Sequence, residues 1–229
     1  MLRYVYGHDL VRYPQLADSM FRDRAEQFAT RLGWAVTVDG HGHERDAYDA
    51  LDPLYVIWEA PDGSHGGSMR FLPTTGRTMV NDHFAHIAGA RIDSPFIWEC
   101  TRFCISPRAT GPVARKAAAA LVLGAGEVME RAQLQHFVGV FDPRMERIYR
   151  LYGVEPDVIG GRGAGPHRRR PVGDAGLRLA AYPLPPRDRP GDLSALGGAI
   201  LRLGGCHGAG AEIRLTPDGR ALSPRSAPG

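Results

Sequence analysis

Cysteine is scarce in this chain of 229 residues, and the three present, Cys100, Cys104 and Cys206, form no even disulfide set. No second cysteine pair or Cys/His cluster completes a zinc site, so no metal is expected and a reducing cytoplasm fits best. Long apolar runs are also missing. None approaches the roughly 18 residues that span a bilayer, and Met1 to Leu10 lack the charged start and apolar core of a secretory signal, so no membrane insertion is expected. Charge of one sign is not concentrated either. The 28 Lys and Arg stand against 25 Asp and Glu, spread without the basic stripe of a dedicated nucleic-acid binder, so nucleic acid is not an expected partner.

What the chain does have is a 43% hydrophobic content, enough to bury one full core with a tail left over. From Tyr13 to Leu32 the apolar residues Leu16, Met20, Phe21, Phe28 and Leu32 recur at helical steps, with Gly33 as the stop. Arg24 lies four residues from both Met20 and Phe28, so it shares their face and needs a partner there. Residues Val36 to Asp52 read as a polar loop, Leu54 to Glu59 and Gly67 to Leu72 as a hairpin around Pro61-Asp62-Gly63, and Phe96 to Ser106 as a further strand. An Ala-rich helix over Val113 to Leu134 follows, its small residues suited to close packing on a sheet. Phe137 to Phe141 predicts a buried strand. Asp142 and Pro143 predict the cap and first position of a helix ending at Gly153, and Leu177 to Tyr182 predicts a last strand. Gly160 to Arg170 reads as an exposed loop. This order indicates a single α/β domain with a mixed, twisted central sheet flanked by helices, over residues 1–183. Residues 184–229 are rich in Pro, Gly and Arg and are expected to form a partly disordered extension, with one short helix near Ala195 to Leu203.

Four blocks carry the chemistry. Arg24, Phe28 and Trp34 lie in the first, and Glu44-Arg-Asp46-Ala-Tyr-Asp49 forms the second. Met69-Arg70-Phe-Leu-Pro-Thr74 and Trp98-Glu99-Cys-Thr-Arg102-Phe103 form the third and fourth. Taken singly, Phe28 and Trp34 read as core aromatics, Asp46 and Asp49 as solvated acids, and the arginines as ion-pair partners. Occurring together, they resemble the acyl-homoserine lactone synthase (autoinducer synthase) family, whose members share an N-acetyltransferase-like fold. The resemblance runs from about residue 1 to residue 182.

It implies that Arg24, Phe28, Trp34, Asp46, Asp49, Arg70, Phe84 and Phe103 bind S-adenosylmethionine, with Glu99 as general base and Arg102 beside it. It also implies a quorum-sensing signal as product, and S-adenosylmethionine as a substrate rather than a cofactor; no cofactor is expected. The residue types suit that substrate, since a sulfonium, an ammonium, a carboxylate and an adenine call for acids, a base and aromatic faces in one cleft. One geometric conflict stands out. In a regular strand Ile97, Glu99, Thr101 and Phe103 share one side while Trp98, Cys100 and Arg102 take the other, so Glu99 and Arg102 meet in one cleft only if the strand bulges near Cys100 to Phe103. Such a bulge would also free a backbone N–H for the thioester carbonyl.

The acyl donor is expected to be acyl-CoA or an acylated acyl carrier protein, with Trp98, Cys100, Val138, Gly139, Val140 and Met145 as walls of the acyl pocket. Many family members that make 3-oxo signals carry a threonine at the position aligned with Gly139. Its absence points to an unsubstituted, branched or aromatic acyl group. Arg144, Arg147 and Arg150, with Arg168 to Arg170, could meet an acidic carrier or simply be solvated. Arg108-Ala-Thr-Gly111-Pro-Val113 partly matches a pyrophosphate-binding loop, although Pro112 removes one N–H. The alternative is another N-acyltransferase of the same fold, using acyl-CoA and a different amine.

Overall fold

The computed structural model describes residues 1–161 and the strands Arg178–Pro183, Arg214–Leu215 and Ala221–Leu222. Strands β1 (Leu2–Tyr6), β2 (Leu54–Glu59), β3 (His65–Pro73), β4 (Ile97–Ile105), β5 (His136–Phe141), β6 (Asp157–Gly161) and β7 (Arg178–Pro183) form one sheet in the order β1-β2-β3-β4-β5-β7-β6. Neighbours are antiparallel except β4 and β5, which run parallel. The expected mixed sheet is therefore present, with its single parallel joint in the middle. Strands β8 (Arg214–Leu215) and β9 (Ala221–Leu222) make a separate hairpin. The rest of the expected extension, its short helix included, lies outside the described residues.

Helix α1 (Pro14–Ala25) covers one face of the sheet and helix α4 (Gly111–Arg131) the other, while the short helices α2 (Met79–His83) and α3 (Ala85–Ala88) precede β4. Strand β2 shows why both faces close. Leu54, Val56 and Trp58 point into the cluster under α4, and Tyr55 and Ile57 into the one under α1 with Leu16, Met20 and Phe21. Helix α4 can approach because Ala117, Ala118, Ala119 and Gly124 line its buried side. At Gly124 an added Cβ would stand 2.7 Å from Val56 Cγ1, closer than packing allows.

The first helix departs from its expected form at the end. Residues Glu26–Arg31 widen into a π-turn, in which Leu32 N–H reaches back to the Gln27 carbonyl and Trp34 N–H to that of Phe28. Gly33 makes the reversal with φ 65°. Helix α5 (Arg144–Leu151) starts one residue later than expected, with Pro143 rather than Asp142 in the cap position. Strand β1 and the helices α2 and α3 have no counterpart among the sequence expectations. Strand β6 takes the first residues of the expected glycine-rich loop, whose remainder lies outside the described residues. Among the described residues no helix is long and apolar enough to cross a membrane.

Candidate active site

On the α1 face, Arg24, Arg70 and Arg102 interlock with Glu44, Asp46 and Asp49. Arg24 is fully buried at the end of α1, as its place on the apolar face requires, and its Nε donates to Glu44 Oε2 at 2.6 Å. Its two terminal nitrogens grip both oxygens of Asp49 at 2.9 Å. Arg70, on β3, donates to Asp49 at 2.8 Å and to Asp46 at 3.0 Å, with Nε on Thr101 Oγ1. Arg102 closes the circuit, reaching Asp46 Oδ2 at 2.7 Å and Glu44 Oε1 at 2.9 Å. Each carboxylate thus bridges two guanidinium groups in a closed ring of six.

Three cations against three anions leave the ring without net charge, the condition under which such groups tolerate burial. Burial alone would raise the Asp49 pKa, but Arg24 and Arg70 hold it well below the carboxylate range. Asp46 is lowered in the same way by Arg70 and Arg102 against the penalty of burial. The ring also orders the polar loop, whose turn Asp46 caps by accepting the N–H groups of Tyr48 and Asp49. Its members are not equally enclosed. Asp46 keeps 20% of its side chain exposed and Arg102 10%, so the Asp46–Arg102 edge is the side open to a ligand.

Glu44 was not among the expected site residues, although it is fully buried and ties Arg24 to Arg102. The signal for it was available. Three arginines expected in one cleft require three anions, and Glu44 stands two residues before Asp46.

The expected bulge is present. Ser68 pairs with Cys104 and Arg70 with Thr101, so Met69 faces both Arg102 and Phe103, and Arg102 takes φ 54°. The extra residue resets the alternation of β4. Glu99, Thr101 and Arg102 reach the α1 face, while Trp98, Cys100, Phe103 and Ile105 join the cluster under α4. Glu99 is 1% exposed and accepts the N–H groups of Met79 and Val80 at 3.1 and 2.5 Å. Burial pushes its pKa up, opposed by those two N–H groups.

The aromatic pair expected from the first block is formed by the π-turn and Gly33. Phe28 is buried, Trp34 is 39% exposed, and their rings stack 5.1 Å apart at 13°. The Arg102 guanidinium lies 5.3 Å from the Phe28 ring, joining this platform to the ionic ring. Phe84 follows α2 and packs near Val80 and Val138.

A description of the autoinducer synthase family matches residues 8–165, which contain the whole ring, Glu99 and the aromatic pair. The chain belongs to the autoinducer synthase family. An acyl-homoserine-lactone synthase of Rhizobium etli is 43% identical over 160 residues, covering 68% of this chain and 75% of that protein. Two solved acyl-homoserine lactone synthases share the fold. BjaI, a CoA-dependent enzyme solved with SAM and isopentyl-CoA, superposes with a TM-score of 0.71 at 20% identity over 87% of this chain and 89% of its own. LasI gives 0.65 at 24% identity over 82% and 92%.

In this autoinducer synthase the acyl-pocket candidates divide between the two faces. Strands β4 and β5 pair only from Ile97↔His136 to Glu99↔Val138, and beyond that they part. Trp98 and Cys100 belong to the α4 side of this wedge, and alternation from Phe137 places Gly139 there too. Val138 and Val140 instead pack toward Val80 and Phe84. Met145 lies half-buried on α5. Phe103, expected at the S-adenosylmethionine site, is turned by the bulge onto the α4 side, where its ring meets Tyr149. The phosphate-loop match also weakens in the synthase. Both terminal nitrogens of Arg108 are held by Asp23 at 2.8 and 3.1 Å, and the N–H groups of Ala109 and Val113 bond the carbonyls of Ser106 and Thr110. Arg147 and Arg150 are exposed on α5, while Arg168 to Arg170 lie outside the described residues.

Proposed function

We propose that this autoinducer synthase acylates S-adenosylmethionine from an acyl-CoA or an acylated carrier protein and then closes the lactone, releasing 5′-methylthioadenosine. The observation that carries this reading is the exposed Asp46–Arg102 edge of the ionic ring beside the Phe28–Trp34 stack, with buried Glu99 on the same face of the sheet. The half-exposed Trp34 over Phe28 offers a face to the adenine or the sulfonium, and the Asp46–Arg102 edge offers an acceptor and a donor to the methionyl ammonium and carboxylate.

In the first step Glu99 takes a proton from the ammonium. The freed amine attacks the thioester carbonyl, forming the amide and expelling the thiol. Burial favours this, because a carboxylate with a raised pKa is a stronger base at neutral pH. In the second step the methionyl carboxylate attacks its own γ-carbon, and the C–S bond breaks toward methylthioadenosine. That step needs no proton transfer. The parting of β4 and β5 just past Glu99 gives the acyl chain a route from the α1 face to the α4 face. The reaction uses no cofactor, and the enzyme works in the cytoplasm, where both substrates are made.

The test is purified protein with S-adenosylmethionine and a panel of acyl-CoA and acyl-carrier thioesters, followed by mass spectrometry. Acyl-homoserine lactone and methylthioadenosine should appear in equal amounts. Acyl transfer to another amine without methylthioadenosine would favour a general N-acyltransferase instead.

A further inference from the structure

We propose that Tyr149 of α5 is the stop that limits how far an acyl chain extends into this enzyme. The inference rests on the acyl transfer proposed above and assigns a specificity-determining residue to it. Beyond Glu99 and Val138 each of the parted strands carries an aromatic on the α4 side, Phe103 within β4 and, by alternation from Phe137, Phe141 at the end of β5. Tyr149 meets both. Its ring lies 6.4 Å from Phe103 at 73° and 5.4 Å from Phe141 at 84°, two edge-to-face contacts that bridge the open end of the wedge.

The bridge is held from two directions. Pro143, just after β5, fixes where α5 begins, and the Tyr152 hydroxyl, one turn after Tyr149, donates to the Arg115 carbonyl of α4 at 3.4 Å. A chain that enters beside Glu99 and passes Cys100 therefore runs toward a wall of three rings, of which only Tyr149 belongs to neither strand. Phe103 and Phe141 stand on the strands themselves, whereas Tyr149 stands on α5 across the gap between them, so its size sets the depth of the pocket.

The experiment compares wild type, Tyr149→Ala, Tyr149→Leu and Tyr149→Phe on butanoyl, hexanoyl, octanoyl and dodecanoyl thioesters, with lactone and methylthioadenosine both measured. Each methylene gained or lost in an apolar pocket is worth roughly tenfold or more in kcat/KM. In Tyr149→Ala and Tyr149→Leu the ratio of dodecanoyl to butanoyl kcat/KM should rise at least about tenfold. Tyr149→Phe, which keeps the ring, should leave it unchanged. An unaltered ratio in the folded Leu or Ala variant, or a comparable shift in the Phe variant, would overturn the assignment. Wild type that forms neither lactone nor methylthioadenosine would instead overturn the acylation itself.

Discussion

Glu99 and Arg102 stand three residues apart on one strand yet reach the same side of the sheet, because Arg102 takes φ 54° in the bulge opposite Met69. The geometry separates their tasks. Glu99 sits 1% exposed beneath the start of α2, whereas Arg102 closes the ionic ring at its open edge. Lysine at position 102 keeps the charge but cannot fork between Glu44 and Asp46. With hydrogen bonds between charged groups worth about 1.5–3 kcal/mol, Arg102→Lys should raise KM for S-adenosylmethionine by at least about tenfold. Steady-state kinetics with the acyl donor saturating checks this, and an unchanged KM would remove Arg102 from the substrate edge.

Removing the base should act on kcat. Glu99→Gln is expected to lower kcat by roughly 10² to 10⁴ with a smaller change in KM. The pH dependence follows from the direction of the Glu99 shift. Its pKa lies above the ordinary glutamate value, so wild-type kcat/KM should fall on the acid side at a pH higher than a solvated glutamate would give, and Glu99→Gln should lose that limb. Both oxygens of Glu99 accept backbone N–H groups, and the glutamine amide must point one of its own donors at Met79 or Val80. A stability loss of about 1–3 kcal/mol should accompany the kinetic one, read as a lower urea midpoint.

Several of these relationships were legible in the sequence, and the reasons differ. Arg24 on an apolar helical face announced a buried ion pair, and the mismatch between Glu99 and Arg102 on a two-residue period announced the bulge. Glu44 escaped because a charged residue in a polar loop gives no periodic signal, and only the count of three arginines requires it. Strand β1 is five residues long at the sheet edge, with Leu2, Tyr4 and Tyr6 toward α4 and only Val5 buried toward α1, too short a pattern to stand out. Phe103, expected on the Glu99 side of a regular strand, lies on the α4 side because the position of the extra residue decides which side chains flip. A bulge at Arg102 moves Phe103, whereas one placed after it would not.

The stacked aromatics should respond differently although they touch. Phe28 is 2% exposed, so Phe28→Ala should cost about 3–5 kcal/mol of stability, as large truncations in a core do. Trp34 is 39% exposed, and Trp34→Ala should leave stability within about 0.5–1 kcal/mol while weakening S-adenosylmethionine binding. Denaturant melts set beside calorimetric titration with the substrate separate the two. Equal loss of stability in both variants would mean that Trp34 serves the core rather than the ligand.

The ionic ring makes the fold sensitive to acid in a definite direction. Asp49 has its folded-state pKa held far below the unfolded value by Arg24 and Arg70, so its contribution is complete above the unfolded carboxylate pKa and is lost as pH falls toward the folded one. Asp46 shifts the same way. Asp49→Asn removes one anion from a balanced ring and leaves Arg24 and Arg70 sharing too few acceptors, which should cost about 3–5 kcal/mol at neutral pH. Urea unfolding at neutral pH and at a pH below the unfolded carboxylate pKa reads both effects. The gap between wild type and Asp49→Asn should narrow as pH drops, because wild type then loses the ion pairs that the variant already lacks. A gap that stays constant into acid would show that the ring stabilises through packing and loop order rather than through charge.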